Sequence, residues 1–394
     1  MIKKLATAIL VAVIVFSLAL PTLAVDIPDP QFELEARSAL LMEADSGRVI
    51  YQKNAEEQLA PASITKIMTL LLTMEAIEEG RASWDDVVTT SERAADMGGS
   101  QIWLEPGEEM TLEEMVKAIA IVSANDACVA VAEHLYGSEE AFVEVMNNRA
   151  EELGMENTHF VNTNGLPPGD ADEQGNYSTA YDVALMSREL LKHGDVLEYT
   201  STWIDYLRDG ESFLRNTNDL VKSYRGADGL KTGYVEDAGF CVAATAEREG
   251  IRFISVIMKD VDSKLRFEEA AQLLSYGFNI YQPIEVAKKG EVLVEELEVY
   301  KGKDPQIKAI AKEDLNVAVI RGAEDKLKKQ VLIDSDLTAP LAEGDRVGEL
   351  RVLTEDKELD SVELVSDREV ERGNIIQIVI QLLKRFLHNL VNIF

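Results

Sequence analysis

Two cysteines in 394 residues, Cys128 and Cys241, are too few for a disulfide framework and lack the spacing of a zinc site. The histidines, His134, His159, His193 and His388, are scattered with no pair at metal-ligand spacing, so no metal and no cofactor is expected. Ten prolines and 24 glycines exclude collagen-like and Pro/Gly low-complexity structure. Positive charge is scarce. The chain carries 39 Lys+Arg against 71 Asp+Glu, a formal net charge of −32, and a phosphate backbone would be repelled, so no nucleic-acid partner is expected. What remains is ordinary: 46% apolar and 28% charged residues are close to globular usage, so disorder is not the default. At roughly 100–200 residues per domain, the length suggests two or three domains.

The two ends differ from the middle. Lys3 and Lys4 precede an apolar stretch, residues 5–20, which is shorter than the roughly 20 residues a bilayer needs. Pro21-Thr22-Leu23-Ala24 then offers small residues at the cleavage positions, so residues 1–24 read as an export signal and the mature chain is expected to start near Val25, the alternative being a retained anchor. Loss of Lys3 and Lys4 takes the net charge from −32 to −34. At the other end, residues 373–394 place polar groups at Asn374, Gln377, Gln381, Lys384, Arg385, His388 and Asn392, in steps of three or four. The remainder is almost all Ile, Leu, Val or Phe, the pattern of a one-faced helix. Its only charges are Lys384 and Arg385, which suits an in-plane helix on an anionic membrane surface; packing on a protein surface is the alternative.

Between the ends, residues 38–52 read as a hairpin about the turn Asp45-Ser46-Gly47. Helical periods cover residues 63–79, 112–123 (with Thr111 as N-cap), 126–136, 139–153 and 179–193. Residues 162–169, Asn-Thr-Asn-Gly-Leu-Pro-Pro-Gly, read as a loop. Residues 240–246 and 251–258 look like strands joined at Glu249-Gly250. Strands at both ends with helices in the middle suggest an α+β layout, an antiparallel sheet assembled from the two ends of residues 37–282. From Pro283 the chain turns to short strand-like runs at 291–299, 315–319, 330–333 and 348–353, a small all-β domain. The expected boundaries are thus 1–24, 25–282, 283–370 and 371–394.

Three short motifs carry the chemistry. Ser63-Ile64-Thr65-Lys66 is the one Ser-x-x-Lys in the chain, although average composition alone would supply about one. Its serine opens a predicted helix and its lysine lies one turn later on the same face. A serine hydroxyl needs a base to become a nucleophile, and a desolvated lysine near another cation can serve. Ser123-Ala124-Asn125 falls at a corner between helices, where a serine can relay a proton and an amide can bind a carbonyl. Either residue alone would be an ordinary helix-boundary group. Lys231-Thr232-Gly233 precedes a strand and offers a cation, a hydroxyl and a glycine that lets substrate approach the backbone.

Together, in this order and context, the three resemble the signature of penicillin-binding proteins and serine β-lactamases. The longer blocks 61–69, 123–127, 177–182 and 228–234 resemble the serine D-alanyl-D-alanine carboxypeptidases, the low-molecular-mass penicillin-binding proteins; the β-rich domain and amphipathic tail resemble their membrane-associated branch. That resemblance implies a penicillin-binding/β-lactamase-like α+β fold with a helical subdomain, and hydrolysis of the terminal D-Ala–D-Ala bond of peptidoglycan stem peptides. Ser63 would be the nucleophile, Lys66 the base and Ser123 the proton shuttle. Asn125 would hold the substrate amide; Lys231, Thr232 and Arg266 would hold the terminal carboxylate. The backbone N–H groups of Ser63 and Tyr234 would form an oxyanion hole, and Gly233 would let the substrate approach the backbone closely. β-Lactams would acylate Ser63, and the enzyme would sit on the outer face of the cytoplasmic membrane. Ala124 departs from the Gly or Asp of many relatives. A β-lactamase would share the motifs without needing the second domain or the tail, and a DD-endopeptidase would use the same site.

Overall fold

The computed structural model describes residues 29–169, 173–335, 337–354 and 357–381. The expected leader, residues 1–24, and residues 382–394 of the expected terminal helix lie outside them. The chain divides into two compact units between Ile284 and Glu285, with Asn316–Ala318 belonging to the first.

The first unit is built on a five-stranded antiparallel sheet. Its strands are β1 (Ser38–Glu43), β2 (Val49–Lys53), β3 (Ala227–Val235), β4 (Gly239–Arg248) and β5 (Ile251–Asp260), in the order β2–β1–β5–β4–β3. Every residue of β1 is buried, the mark of a central strand covered on both faces. It pairs with β5, Ala39 opposite Ile257 and Leu41 opposite Ser255. The sheet therefore joins residues near the start of the unit to residues near its end.

Helix α1 (Lys66–Glu78) is buried on almost every side, as its near-continuous apolar sequence requires. Helix α2 (Leu112–Ile121) starts with a reciprocal cap in which Thr111 accepts from the Glu114 N–H and Glu114 accepts from that of Thr111. Helix α3 (Asn125–Tyr136) ends at Gly137, whose φ of 83° is the left-handed turn that favours glycine. Helices α4 (Glu139–Glu152) and α5 (Ala180–Leu190) begin at the side-chain caps Ser138 and Thr179. Helix α6 (Leu265–Ile280) packs on β5 and β4.

Two expectations need correction: Lys231-Thr232-Gly233 does not precede a strand but lies within β3, and the second concerns the nucleophile. Ser63 does not open the α-helix: residues Ala62–Thr65 form a 3₁₀ turn and α1 begins at Lys66. The N–H groups of Ile64 and Lys66 bond back three residues, to the Pro61 and Ser63 carbonyls, which is the tighter spacing of a 3₁₀ turn. A two-stranded antiparallel pair, Val87–Thr89 with Glu109–Thr111, and a small hairpin, Ile204–Leu207 with Ser212–Arg215, carried no clear sequence period and were not expected.

The second unit contains a five-stranded antiparallel sheet of β6 (Val292–Glu298), β7 (Gln306–Ala311), β8 (Leu327–Ile333), β9 (Arg346–Thr354) and β10 (Lys357–Ser366), ordered β6–β7–β10–β9–β8. The strands β7 and β10 lie inside the sheet, yet the sequence did not announce them. In β10 the buried Val362 and Leu364 alternate with Ser361 and Glu363, and in β7 two of the three buried positions are alanine. Residues 375–381 are helical, and among the described residues no helix is long and apolar enough to cross a membrane.

Candidate active site

The turn at Ala62–Thr65 leaves Ser63 half-buried and brings Lys66 beneath it. Lys66 Nζ stands 2.9 Å from Ser63 Oγ, and it donates to Asn125 Oδ1 at 2.6 Å and to the Asn164 carbonyl at 2.8 Å. No part of Lys66 reaches solvent. Burial disfavours its ammonium form and lowers its pKa to about 8, with Cys128 and Asp126 acting in the opposite direction.

The corner between α2 and α3 supplies the second side of the site. Ser123 is buried with φ 64°, and its hydroxyl has no hydrogen-bond partner among the described residues. An unpaired buried hydroxyl on a strained residue is the mark of a functional position. Asn125 bridges: its Oδ1 faces Lys66, and its Nδ2 donates to the Gly98 carbonyl at 2.7 Å. Asp126 accepts from the N–H groups of Ile102 and Leu104, each at 3.1 Å, pinning residues 98–104 against α3. Gly99, at φ 77°, lies so close that a Cβ there would be 2.8 Å from Asn125 Nδ2.

Strand β3 forms the third side. Lys231 is buried, and its Nζ donates to the Thr232 carbonyl at 3.0 Å. Burial, and then the charge of Lys66, hold its pKa well below the ordinary lysine value. Thr232 Oγ1 donates to Thr217 Oγ1 at 2.7 Å. A Cβ on Gly233 would lie 2.9 Å from the Pro61 carbonyl and 3.1 Å from Ser63 N, so glycine is what lets the strand reach the nucleophile's turn. The Tyr234 ring is 55% exposed and stacks on Phe240 at 4.4 Å. Arg266, in the first turn of α6, donates to the Gly233 carbonyl at 3.1 Å and the Cys241 carbonyl at 3.3 Å. Both cysteines are buried and unpaired.

The structure thus places Lys66 in direct contact with both Ser63 and Asn125, with Gly233 against the Ser63 turn and Arg266 on Gly233. A cleft of about 530 Å³ opens beside this turn, lined by Leu59, Ala62, Gly165, Leu166, Val235 and Asp237 among others. Sequence reasoning missed three contributors: the Asn164 carbonyl, the Thr217 hydroxyl and the Asp126 carboxylate. The Asn-x-Asn-Gly run at 162–165 was legible as a turn, but a backbone carbonyl leaves no signature in residue type.

Two family models match the chain: D-alanyl-D-alanine carboxypeptidase over residues 24–262, and the penicillin-binding protein 5 C-terminal domain over residues 281–372. A D-alanyl-D-alanine carboxypeptidase, DacF of Bacillus subtilis, is 43% identical over 363 residues, 91% of this chain and 92% of its own length. A peptidoglycan synthesis regulatory factor (PBP3) from Streptococcus pneumoniae has a crystal structure that superposes with a TM-score of 0.74 at 29% identity, covering 86% of this chain and all of that one. Penicillin-binding protein D2 from Listeria monocytogenes, in its ampicillin-bound form, gives a TM-score of 0.57 at 33% identity over 63% of this chain and all of its own. With the nucleophile beside its buried lysine and the Lys-Thr-Gly strand against the nucleophile's turn, the chain belongs to the serine D-alanyl-D-alanine carboxypeptidases, the low-molecular-mass penicillin-binding proteins.

Proposed function

We propose that Ser63 attacks the carbonyl carbon of the penultimate D-alanine of a stem pentapeptide while its proton passes to Lys66 Nζ. The observation that carries this assignment is the 2.9 Å separation of the two atoms with Lys66 wholly buried. The oxyanion rests on the backbone N–H groups of Ser63 and Tyr234. As the C–N bond breaks, Ser123 relays the proton from Lys66 to the departing amine, and D-alanine leaves. Water then cleaves the ester, giving the tetrapeptide and free Ser63. Asn125 holds the substrate amide, and Lys231, Thr232 and Arg266 receive the terminal carboxylate.

Two buried amines whose charges repel share the site, and burial disfavours the ammonium on both. A substrate carboxylate at Lys231 supplies the missing counter-charge and draws the positive charge there. The resulting cation disfavours a second one on Lys66, leaving it free to accept the serine proton. Substrate binding thereby prepares the base. β-Lactams, which present a carboxylate and a strained amide in the same arrangement, acylate Ser63 by the same route; the ampicillin-bound relative supports this reading.

The decisive experiment incubates the protein and its Ser63→Ala variant with a fluorescent penicillin, then with a D-Ala–D-Ala-ending peptide. Covalent labelling and release of free D-alanine are expected, and both should vanish in the variant. Labelling that survives Ser63→Ala would remove the serine from its role.

We also propose that the chain is exported and held at the outer face of the cytoplasmic membrane through its C-terminal residues. In support, Ile375, Ile376, Val379 and Ile380 are exposed on the helical segment 375–381. Asn374 and Gln377 cap that segment reciprocally, so its start is defined locally.

A further inference from the structure

A neutral lysine amine has two N–H bonds and one lone pair. Around Lys66, the Asn125 side-chain oxygen and the Asn164 carbonyl can only accept, and Ser63 is the remaining partner. With both acceptors in place, both N–H bonds are committed and the lone pair is left facing Ser63 Oγ. The orientation of the base therefore depends on the Asn164 carbonyl, which sits in a loop far from α1 in sequence.

One buried amide holds that loop. Asn176 Oδ1 accepts from Val161 N at 2.7 Å and Asn162 N at 3.2 Å. Its Nδ2 donates to the Asn162 carbonyl at 3.1 Å and to Oγ1 of Thr65, the residue before Lys66, at 3.0 Å. Asn162 then closes the loop on itself, its Oδ1 accepting from Gly165 N at 2.7 Å and its Nδ2 donating to the Leu166 carbonyl at 2.8 Å. One turn along α1, Thr69 Oγ1 donates to the Thr163 carbonyl at 2.6 Å. Gly165, at φ 83°, is pressed so closely on the nucleophile's turn that a Cβ would fall 1.8 Å from the Ala62 carbonyl.

We propose that Asn176 is a positioning residue for acylation, clamping the 161–166 loop to Thr65 so that the Asn164 carbonyl takes one Lys66 proton and excludes water from the base. Asparagine suits the position because the clamp needs an acceptor and a donor on one short planar group. Aspartate would keep the acceptor but lose the donor to Thr65. The titratable groups whose charges reach Lys66 are Lys231 on β3 and Asp126 and Cys128 on α3. The clamp touches none of them, so its removal acts through hydration and orientation of the amine.

The inference rests on Lys66 as the base, and the test separates the two. Acylation rates with a chromogenic penicillin are measured from pH 6 to 10 for wild type, Asn176→Ala, Thr65→Val, the double variant and Lys66→Ala. Asn176→Ala is expected to acylate about 10- to 100-fold more slowly at pH 7, with its acid limb moved above the wild-type position near pH 8 and little change in KM for the peptide. Thr65→Val, nearly isosteric and leaving the loop sequence intact, should shift the limb the same way, and the double variant should be no worse than Asn176→Ala. Wild-type rates in both single variants, or a uniform loss with an unmoved pH profile, would overturn the clamp. Normal acylation by Lys66→Ala would overturn the base assignment beneath it.

Discussion

At the level of single residues, the site works by removing water from groups that normally keep it. Lys66 has a pKa of about 8, so roughly a tenth of it is neutral at pH 7. Acylation should therefore rise close to tenfold per pH unit from pH 6 and level off above about 8, a profile that stopped-flow measurements with penicillin would trace. The same depression has a consequence for stability. The unfolded chain, with an ordinary lysine pKa of 10.5, holds the proton more tightly than the folded one, so this group adds stability as pH rises from about 8 to 10.5. Gly233 gives a second residue-scale prediction. Gly233→Ala would push a methyl toward the Pro61 carbonyl and Ser63 N, and a displacement of that size at the nucleophile should lower acylation by about 100-fold while the protein stays folded by circular dichroism. The grouping of Lys66 with Ser63 and Asn125 was legible because nucleophile and base chemistry needs particular side chains. Asn164 was not, because what it contributes to Lys66 is its main chain, and any residue able to adopt the turn would bring the same carbonyl.

Among the elements, α2 and α3 set the geometry of the Ser123 corner, and the start of α2 and the end of α3 were read correctly. Thr111 with Glu114 announces the start of α2, and Gly137 the end of α3. Thr111→Ala should lower stability by about 1 kcal/mol, measured by denaturant unfolding, with acylation retained. The expected α2 end at Ser123 was two residues long, because Ala118 O already receives the N–H groups of Val122 and Ala124 and the chain leaves the helix after Ile121. The helix expected from Ser63 was also misjudged, since residue type did not reveal the 3₁₀ turn that lifts the serine out of the α-helical path. In the second unit, β7 and β10 were missed for a different reason. Their inward positions alternate correctly, but alanine and serine among them weaken the apolar contrast by which a strand is recognised.

Over the whole molecule, the net charge of −32 keeps the chain soluble and sets its C-terminal residues apart. Removing residues 373–394 should leave peptide hydrolysis unchanged and abolish co-flotation with vesicles containing anionic lipid. A truncated form that still floats would place the lipid contact elsewhere. The sheet of the first unit carries a further implication for how the enzyme comes into being. Its strand β1 pairs locally with β2, but its other edge closes on β5, more than 200 residues later, and Gly233 must arrive before the nucleophile's turn has its neighbour. Such distant partners delay closure until synthesis has delivered nearly the whole unit. An emerging chain is consequently inert to penicillin: nascent fragments ending before residue 251 should carry Ser63 and Lys66 yet form no adduct, and antibiotic capture should begin abruptly once β5 is released.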